Sequence, residues 1–342
     1  MSVAVEFESV SIVFGDAPKR ALALMDQGMS REQIQAETAQ ILGVHDCTLT
    51  VNEGEILVLM GLSGSGKSTL LRAVNGLNEV TRGTVRVTDG GRMVDVTRAD
   101  KSTLREMRLR RVSMVFQQFG LLPWRSVRDN VGLGLELAGR HAAARREQVD
   151  GQLALVGLTD WAERKVGELS GGMQQRVGLA RAFATEAPIL LMDEPFSALD
   201  PLIRTRLQDE LIELQEKLKR TIIFVSHDLD EAFKLGDRIA IMEGGRIVQS
   251  GTPRDIFSNP ANDYVADFVA HMNPLGVLCA RDVMVPVRGE QAVSVDADAE
   301  IQAAMSEIER GAQSVGVTQD GDLIGQITAS SLLARLGGKR SV

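Results

Sequence analysis

The chain has 342 residues, a formal net charge of −8, 44% hydrophobic and 25% charged residues, and two cysteines. Its length suggests two domains, its acidic balance argues against broad coating of nucleic acid, and it shows neither a basic-then-apolar signal peptide nor an apolar run near the roughly 18 residues that cross a bilayer. Cys47 and Cys279 lack metal-ligand or redox spacing, so we expect reduced thiols in a cytoplasmic protein whose membrane role, if any, is through partners.

The first elements are predicted to be strands followed by a helix. Apolar alternation over residues 3–7 and 10–14 predicts two short strands in a hairpin. Phe14 stands at the end of the second strand, and the pattern alone favours a core position for it. Ser30 and Gln33 have the spacing of a capping box, so a helix is predicted from Arg31 to about residue 42.

The stretch over residues 55–71 carries the strongest chemical signal. An apolar run breaks into a glycine-rich turn and then a helix, and the turn fits the phosphate-binding pattern G-x-x-x-x-G-K-[ST] rather than a chance turn. The residues concerned are Gly61, Gly64, Gly66, Lys67 and Ser68. Glycines let backbone N–H groups approach phosphate oxygens, and the helix adds the positive end of its dipole. Lys67 would reach the β- and γ-phosphates and Ser68 would offer a hydroxyl to Mg²⁺, so we predict a nucleoside triphosphate site.

Strands and helices alternate over the middle of the chain. The patterns predict strands at 84–87, 112–116, 189–192 and 221–225, a turn at 89–91, helices at 98–111 and 202–218, and an inserted helical block at 123–165. This alternation indicates a mostly parallel sheet with helices on its faces. Segments 239–242 and 246–249 are predicted to form a closing hairpin.

Asp193 and Glu194 follow directly after the predicted strand at 189–192. Strand ends are where α/β proteins present catalytic groups, although two adjacent carboxylates there are common. Together with a complete phosphate loop, the pair predicts that Asp193 holds Mg²⁺, often through water, and that Glu194 orients and polarises the attacking water.

A second signal is the sequence Leu-Ser-Gly-Gly-Met-Gln-Gln, which begins at Leu169. Ser170 is a candidate cap for a helix that runs towards Phe183, and Gly171 and Gly172 follow it. The pattern is compatible with an ordinary N-cap. It is also compatible with a helix start that meets a γ-phosphate.

At these motifs the chain resembles the ATP-binding subunits of ABC transporters. The glycine-rich loop is similar to the family's Walker A motif, the segment ending in Asp193 and Glu194 to its Walker B motif, and the segment at Ser170 to its signature motif. Further matches are the Q-loop glutamine Gln117, the D-loop ending at Asp200, the switch histidine His227, and Phe14 where the family stacks an aromatic ring on adenine.

The resemblance implies an ABC-type P-loop NTPase of the α/β class. It would have a mostly parallel sheet, an N-terminal antiparallel β part, a helical subdomain at about 118–185 and an ATPase domain over 1–272. ATP and Mg²⁺ are the implied ligands, with Ser68, Gln117 and Asp193 at the metal and Glu194, His227 and Gln117 in catalysis. The implied nucleotide contacts are Phe14, Gly61, Ser63, Gly64, Ser65, Gly66, Lys67, Ser68, Thr69, Ser170, Gly171, Gly172, Gln174 and Asp200.

The same resemblance implies partners. Two copies would pair head to tail, so that Ser170 and Gly172 of one copy complete the site that holds Lys67 and Glu194 of the other. The pair would sit peripherally on the cytoplasmic face of the inner membrane against permease subunits, and a periplasmic or extracellular substrate-binding protein would act indirectly; no nucleic acid is expected. Gln117 would carry motion to the helical block. Trp124 stands where many relatives carry a histidine, and both packing and a permease contact remain open.

Within that family the chain is most similar to the ATPase subunits of glycine betaine, choline and proline betaine importers. The similarity rests on the helical insert over 16–42, the run over 198–211, the segment over 226–232 and the domain end over 259–269. The implied function is therefore ATP-driven import of a quaternary amine. Alternatives are an importer ATPase for another small solute, a soluble ABC ATPase that acts on DNA or ribosomes, and a protein that is chiefly a sensor through its tail.

Composition changes near Asn273 and Pro274, and within the tail over 273–342 the residues 280–336 resemble a single CBS motif, a small α+β unit. A strand at 292–295, a helix at 298–310, a hairpin through Asp320 and Gly321 and a short helix after Thr328 are predicted. A unit this small buries little core, so we expect it to pair with something. Nucleotide-binding CBS units place an aspartate where this chain has Ser331, and a hydroxyl cannot accept both ribose hydroxyls as a carboxylate does. Dimer stabilisation or regulation is therefore favoured over adenosine sensing.

Overall fold

The computed structural model describes residues 2–270, 274–289 and 291–337. Within this part of the chain the fold divides into two units, Met1–Asp228 with Leu235–Ser250, and Leu229–Lys234 with Gly251–Val342. The boundary predicted near Asn273 lies outside the described residues and stays a prediction.

The elements up to residue 251 follow the alternation that the sequence predicts. In chain order they are β1 (Val3–Phe14), α1 (Arg20–Asp26), α2 (Arg31–Thr38), β2 (Ile41–Asn52), β3 (Ile56–Met60), α3 (Lys67–Ala73), β4 (Arg82–Asp89), β5 (Arg92–Asp95), α4 (Lys101–Arg110), β6 (Val112–Val115), α5 (Val127–Val131), α6 (Leu133–Leu137), α7 (Ala142–Leu155), α8 (Gly171–Ala184), β7 (Ile189–Asp193), α9 (Pro201–Leu218), β8 (Thr221–Val225), α10 (Leu229–Leu235), β9 (Arg238–Glu243) and β10 (Arg246–Gly251).

The predicted N-terminal hairpin is wrong. Residues 3–14 form one strand, β1, that pairs antiparallel with β2 on one side and with β4 on the other, in the order β2-β1-β4-β5. Ser9 has a left-handed φ of 47°, and the register shifts around it. Glu8 and Ser9 are both exposed, which interrupts the alternation and imitates a turn in the sequence.

The second sheet positions the site, and its strand order is β10-β9-β3-β8-β7-β6. Strands β6, β7, β8, β3 and β9 pair in parallel, as predicted. Every residue of β3, β7 and β8 is buried, as in a sheet covered on both faces. Since the strands are parallel, their carboxyl ends lie at one edge, and the predicted catalytic residues follow those ends.

The structure corrects one predicted helix end and one predicted helix start. The capping box at Ser30 and Gln33 is present and α2 begins at Arg31, but α2 ends at Thr38 because Ala39 is left-handed and Ile41 already begins β2. The predicted basic helix begins at Lys101, after Asp100 caps it, and not at residue 98. The helical block contains α5, α6 and α7, and α7 packs on α8.

The second unit has its own apolar core. Its elements after β10 are α11 (Pro253–Ser258), α12 (Asp263–Val269), α13 (Ala280–Val283), β11 (Ser294–Asp296), α14 (Ile301–Glu309), β12 (Ser314–Gln319), β13 (Asp322–Thr328) and α15 (Ala329–Gly337). The strands lie in the order β11-β12-β13, and the hairpin through Asp320 and Gly321 is confirmed. Leu278, Ile301 and Val315 are buried in the core.

Candidate functional site

The phosphate loop lies between β3 and α3, and its shape requires glycine. Gly61 and Gly66 have φ of 135° and 100°. A Cβ on Gly61 would overlap the carbonyl oxygen of Met242, and one on Gly66 would lie 2.5 Å from the carbonyl oxygen of Gly43. The loop therefore keeps its backbone close to the neighbouring strands, with the start of α3 directly after it.

Lys67 is buried and its ammonium is held by the loop. Nζ donates to the carbonyl oxygens of Gly61 at 2.7 Å and Leu62 at 2.9 Å, and lies 3.4 Å from Ser65 Oγ. Burial lowers the pKa of Lys67, while the carboxylates of Glu194 and Asp193 oppose that shift. The amine of Lys67 thus lies against the backbone of the phosphate loop.

Asp193 ends β7 and is fully buried. Ser68 Oγ donates to its Oδ1 at 2.7 Å, and Arg72 Nη2 donates to its Oδ2 at 2.8 Å. A hydroxyl oxygen and a carboxylate thus lie side by side at the start of α3. This is the oxygen-rich chemistry that Mg²⁺ prefers, so the residues fit that ion.

Glu194 holds its carboxylate between two side chains from other strand ends. Gln117 Nε2 donates to Glu194 Oε2 at 3.2 Å, and His227 Nδ1 lies 3.5 Å from Glu194 Oε1. Glu194 has a left-handed φ of 51°, and its backbone N–H donates to Val225 at 3.1 Å. Such a backbone conformation is costly for a non-glycine residue and is characteristic of functional sites.

A cavity of about 750 Å³ lies over the phosphate loop. The predicted site residues that line it are Phe14, Ser63, Gly64, Gly66, Lys67, Ser68, Thr69, Gln117, Glu194 and His227. Gly61, Ser65 and Asp193 lie beneath this lining and contact it through Lys67 and Ser68. The volume is in the range of a ligand pocket.

Phe14 lies at the rim of the cavity and is not a core residue. It is 40% exposed, and a Cβ on Gly43 would lie 2.8 Å from its ring and 3.1 Å from the Thr69 methyl group. The absence of a side chain at Gly43 thus leaves room for the ring close to the phosphate loop.

The signature segment and Asp200 are not brought to this cavity. Ser170 caps α8 by accepting from Met173 N, and Gln174 Nε2 donates to the Leu169 carbonyl at 3.1 Å. Asp200 caps α9 by accepting from Ile203 N at 3.0 Å. Ser170 and Gly171 are exposed. None of these residues is among those that line the cavity over the phosphate loop.

Other lining residues were missed by the sequence reasoning. Arg31, Glu32, Gln35, Ile41 and Gly43 line the same cavity. The capping box that precedes Arg31 located its helix, but no local pattern placed that helix beside the phosphate loop. Pairing of β2 with β1 would have revealed Ile41, which lies directly opposite Phe14.

Ser331, in the second unit, is engaged in local bonds. Its Oγ accepts from Thr328 N and donates to Thr328 O, both at 3.0 Å, and its own N–H donates to Thr328 Oγ1 at 3.1 Å. The Thr328 hydroxyl therefore caps the start of α15, and the Ser331 hydroxyl bonds back to the Thr328 backbone.

None of the helices in the described ranges is both long and apolar enough to cross a membrane.

Comparisons with known proteins agree on one family. The profile described as "ABC transporter" matches residues 44–197. The glycine betaine/proline betaine transport system ATP-binding protein ProV of Escherichia coli (strain K12) is 52% identical over 83% of this chain and 70% of its own length. The glycine betaine/carnitine transport ATP-binding protein GbuA of Listeria monocytogenes (serotype 1/2a, strain 10403S) is 44% identical over 96% of this chain and 81% of its own length.

A solved structure matches the fold. The dimeric post-hydrolysis state of the ATP-binding cassette MJ0796, bound to ADP and Pi, is 30% identical, with a TM-score of 0.63 over 73% of this chain and 99% of that one.

Proposed function

This chain belongs to the ABC transporter family of ATPases, and we propose that it powers an importer of quaternary amines of the glycine betaine type. The observation that carries the ATPase part is the convergence of Lys67, Ser68, Glu194 and His227 on one cavity. The transport part rests on the two betaine relatives, which share 52% and 44% of their aligned residues with this chain.

Bound ATP would lie along the cavity from the phosphate loop to Phe14. The N–H groups at Gly64 and Gly66 and the ammonium of Lys67 would meet the phosphates, and Ser63, Ser65 and Thr69 complete that end. The exposed ring of Phe14 would stack on the adenine.

Ser68, Asp193 and Gln117 would hold Mg²⁺. The hydroxyl and carboxylate already lie 2.7 Å apart, and Gln117 lines the same cavity. When bound, the ion would neutralise charge on the phosphate oxygens.

Glu194 would act on the attacking water. Its carboxylate would accept a proton as the water oxygen bonds to the γ-phosphorus and the bond to the bridging oxygen breaks, giving ADP and phosphate. His227 and Gln117, which flank the carboxylate, would fix its orientation and the position of the γ-phosphate. General-base positioning of this kind contributes about 10²–10⁴ in rate.

A second copy would complete the site. Ser170, Gly171, Gly172, Gln174 and Asp200 lie away from the cavity of their own chain, and the helix start at Ser170 is exposed. The similar cassette MJ0796 is a dimer in the structure that contains ADP and Pi. A head-to-tail pair would place the helix start against the partner's γ-phosphate.

The pair would bind permease subunits at the cytoplasmic face of the membrane, and a solute-binding protein would act on the far side. Trp124, in the segment before α5, is 70% exposed, which favours a permease contact over internal packing. The helical subdomain at about 118–185 would carry this contact. The tail over 273–342 would act as a single CBS-like unit that pairs with its copy or regulates transport.

The test is transport itself. The chain is co-expressed with candidate permease and solute-binding subunits from the same organism, purified with them and reconstituted into vesicles that contain ATP. We expect co-purification and ATP-dependent glycine betaine uptake that Lys67→Ala abolishes. Uptake of another solute without uptake of glycine betaine would show that the chain powers an importer of that solute instead. An active ATPase that binds no permease would favour a soluble ABC ATPase that is not coupled to transport.

A further inference from the structure

The helical segment between β1 and β2 packs firmly at the edge of the nucleotide cavity. Ala21 and Met25 from α1 and Ile34 from α2 form a buried cluster with Val13 and Leu42, which lie in the two strands that flank the segment. Because Phe14 and Ile41 are the next residues outward on those strands, α2 is held beside the rim of the cavity. The helix is thus fixed by its own core.

Arg31, the first residue of α2, joins that helix to the phosphate loop. Its Nη1 donates to the carbonyl oxygen of Gly64 at 2.8 Å, and its Nη2 donates to that of Gly43 at 2.6 Å. The planar guanidinium makes the two bonds from two separate nitrogens in a fixed fork, a geometry that the single nitrogen of a lysine side chain does not offer. One side chain therefore ties the loop to β2.

The space that the Arg31 guanidinium occupies depends on a glycine in the turn between β9 and β10. A Cβ on Gly245 would lie 2.6 Å from Arg31 Nη2, so any larger residue would displace the guanidinium. The carbonyl of Gly43 is also the group that a Cβ on Gly66 would approach. Arg31 thus contacts the same carbonyl against which the phosphate loop packs.

Glu32 and Gln35 lie one turn apart on α2, and both line the cavity. A carboxylate is repelled by a triphosphate, so Glu32 belongs near the nucleoside end of a ligand. A carboxylate can accept the two hydroxyls of a ribose, and an amide offers the donor and acceptor that match the N6 and N7 edge of adenine. Phe14 and Ile41, which also line the cavity, offer the apolar surface a base needs.

We propose that α2 is part of the nucleotide site: Arg31 is a positioning residue for the phosphate loop, and Glu32 and Gln35 contact the ribose and adenine. This inference rests on the proposed ATP site but not on the identity of the transported solute. The helical segment between β1 and β2 would then serve nucleotide binding rather than binding of a partner protein.

The first experiment separates loop positioning from a purely structural role. Full-length Arg31→Ala and Arg31→Lys are compared with the parental chain for binding of ATP and of inorganic tripolyphosphate, below the onset of unfolding. Loss of two hydrogen bonds that order the loop should weaken both ligands about tenfold in Arg31→Ala, and about threefold in Arg31→Lys, which keeps the charge without the fork. Unchanged dissociation constants for both ligands in Arg31→Ala, whatever the melting temperature, would overturn the positioning role.

The second experiment tests the nucleoside contacts. A chain that carries both Glu32→Ala and Gln35→Ala should bind ATP about tenfold more weakly and show a smaller preference for ATP over GTP. Its binding of tripolyphosphate should stay unchanged. Glu37→Ala is the matched control, because Glu37 lies on the same helix but does not line the cavity. Unchanged ATP binding in the double variant, or an equal loss for tripolyphosphate, would overturn these contacts. If the parental chain binds ATP, the proposed function stands even when the variants overturn the role of α2. If the parental chain binds no ATP, both the proposed function and the role of α2 are refuted.

Discussion

Gln117 Nε2 donates a hydrogen bond of 3.2 Å to Glu194 Oε2, although the two residues are 77 positions apart in the chain. The contact arises because β6 and β7 are neighbouring parallel strands and each residue follows the end of its strand. The segment that leads into the helical block is therefore linked directly to the carboxylate proposed to act on water.

Replacing Glu194 with Gln should stop turnover but preserve ATP binding. The amide keeps the shape of the side chain and cannot accept a proton, so hydrolysis should fall at least about 100-fold. Steady-state ATPase assays and an ATP binding titration on the same preparation provide the check. Hydrolysis within a few-fold of the parental rate would contradict the assigned role.

Lys67→Ala should instead lose affinity for ATP. The buried amine is held by the carbonyls of Gly61 and Leu62, and its removal deletes the charge that we propose pairs with phosphate. We expect the dissociation constant to rise at least about tenfold in direct titration. Lys101→Ala, which alters an exposed lysine on α4, is the control and should bind ATP normally.

Those two positions illustrate what local sequence could predict. The phosphate loop and the carboxylates of Asp193 and Glu194 stand directly after apolar strands, so a short-range pattern locates them. The strand β8 was predicted at its observed bounds because it is a β-branched run, buried at every residue.

Positions fixed by long-range pairing were missed. Ser9 reads as a turn in the sequence, yet pairing on both sides keeps β1 continuous. Ile41 was assigned to a helix, and only its pairing with Phe14 places it in β2. Arg31 bonds to carbonyls 12 and 33 positions away, and no periodicity reports such contacts.

Mixing two inactive variants should restore activity if sites form across a dimer. Ser170→Arg adds bulk where the partner's γ-phosphate would dock, and Lys67→Ala removes the loop charge. A heterodimer of the two has one site with Lys67, Ser170 and Glu194 all intact, while its other site carries both changes. Partial recovery of ATPase activity on mixing is expected. Activity equal to the sum of the separate variants, with heterodimers verified by differential tags, would indicate sites built within one chain.

Cys47 should make stability depend on alkaline pH. Burial raises the pKa of its thiol from 9.0 to about 11. The unfolded thiol ionises near its ordinary pKa while the folded thiol stays protonated, so the stabilisation is complete below pH 9 and is lost as pH rises towards 11. The loss amounts to up to about 2–3 kcal/mol.

Urea unfolding gives the free energy of unfolding of the parental chain and of Cys47→Ala at each pH across that range. The effect is the difference between the two chains in the slope of that free energy against pH. Cys279→Ala is the control, because Cys279 is only half-buried and should change the slope less. Equal slopes for the parental chain and Cys47→Ala would contradict the prediction.

The last prediction is that the second unit does not bind adenine nucleotides. The hydroxyl of Ser331 is already engaged with the backbone of Thr328, and it is not a carboxylate that could accept two ribose hydroxyls. In a full-length Lys67→Ala chain, in which nucleotide binding at the proposed ATP site should be weakened, AMP should leave the thermal unfolding of the second unit unchanged. Ser331→Asp in the same background is the matched variant, since a shift gained only there would identify the missing carboxylate as the cause. A saturable, concentration-dependent rise in melting temperature with Ser331 in place would instead show that this unit binds the nucleotide, because a ligand that binds only the folded state stabilises it by mass action.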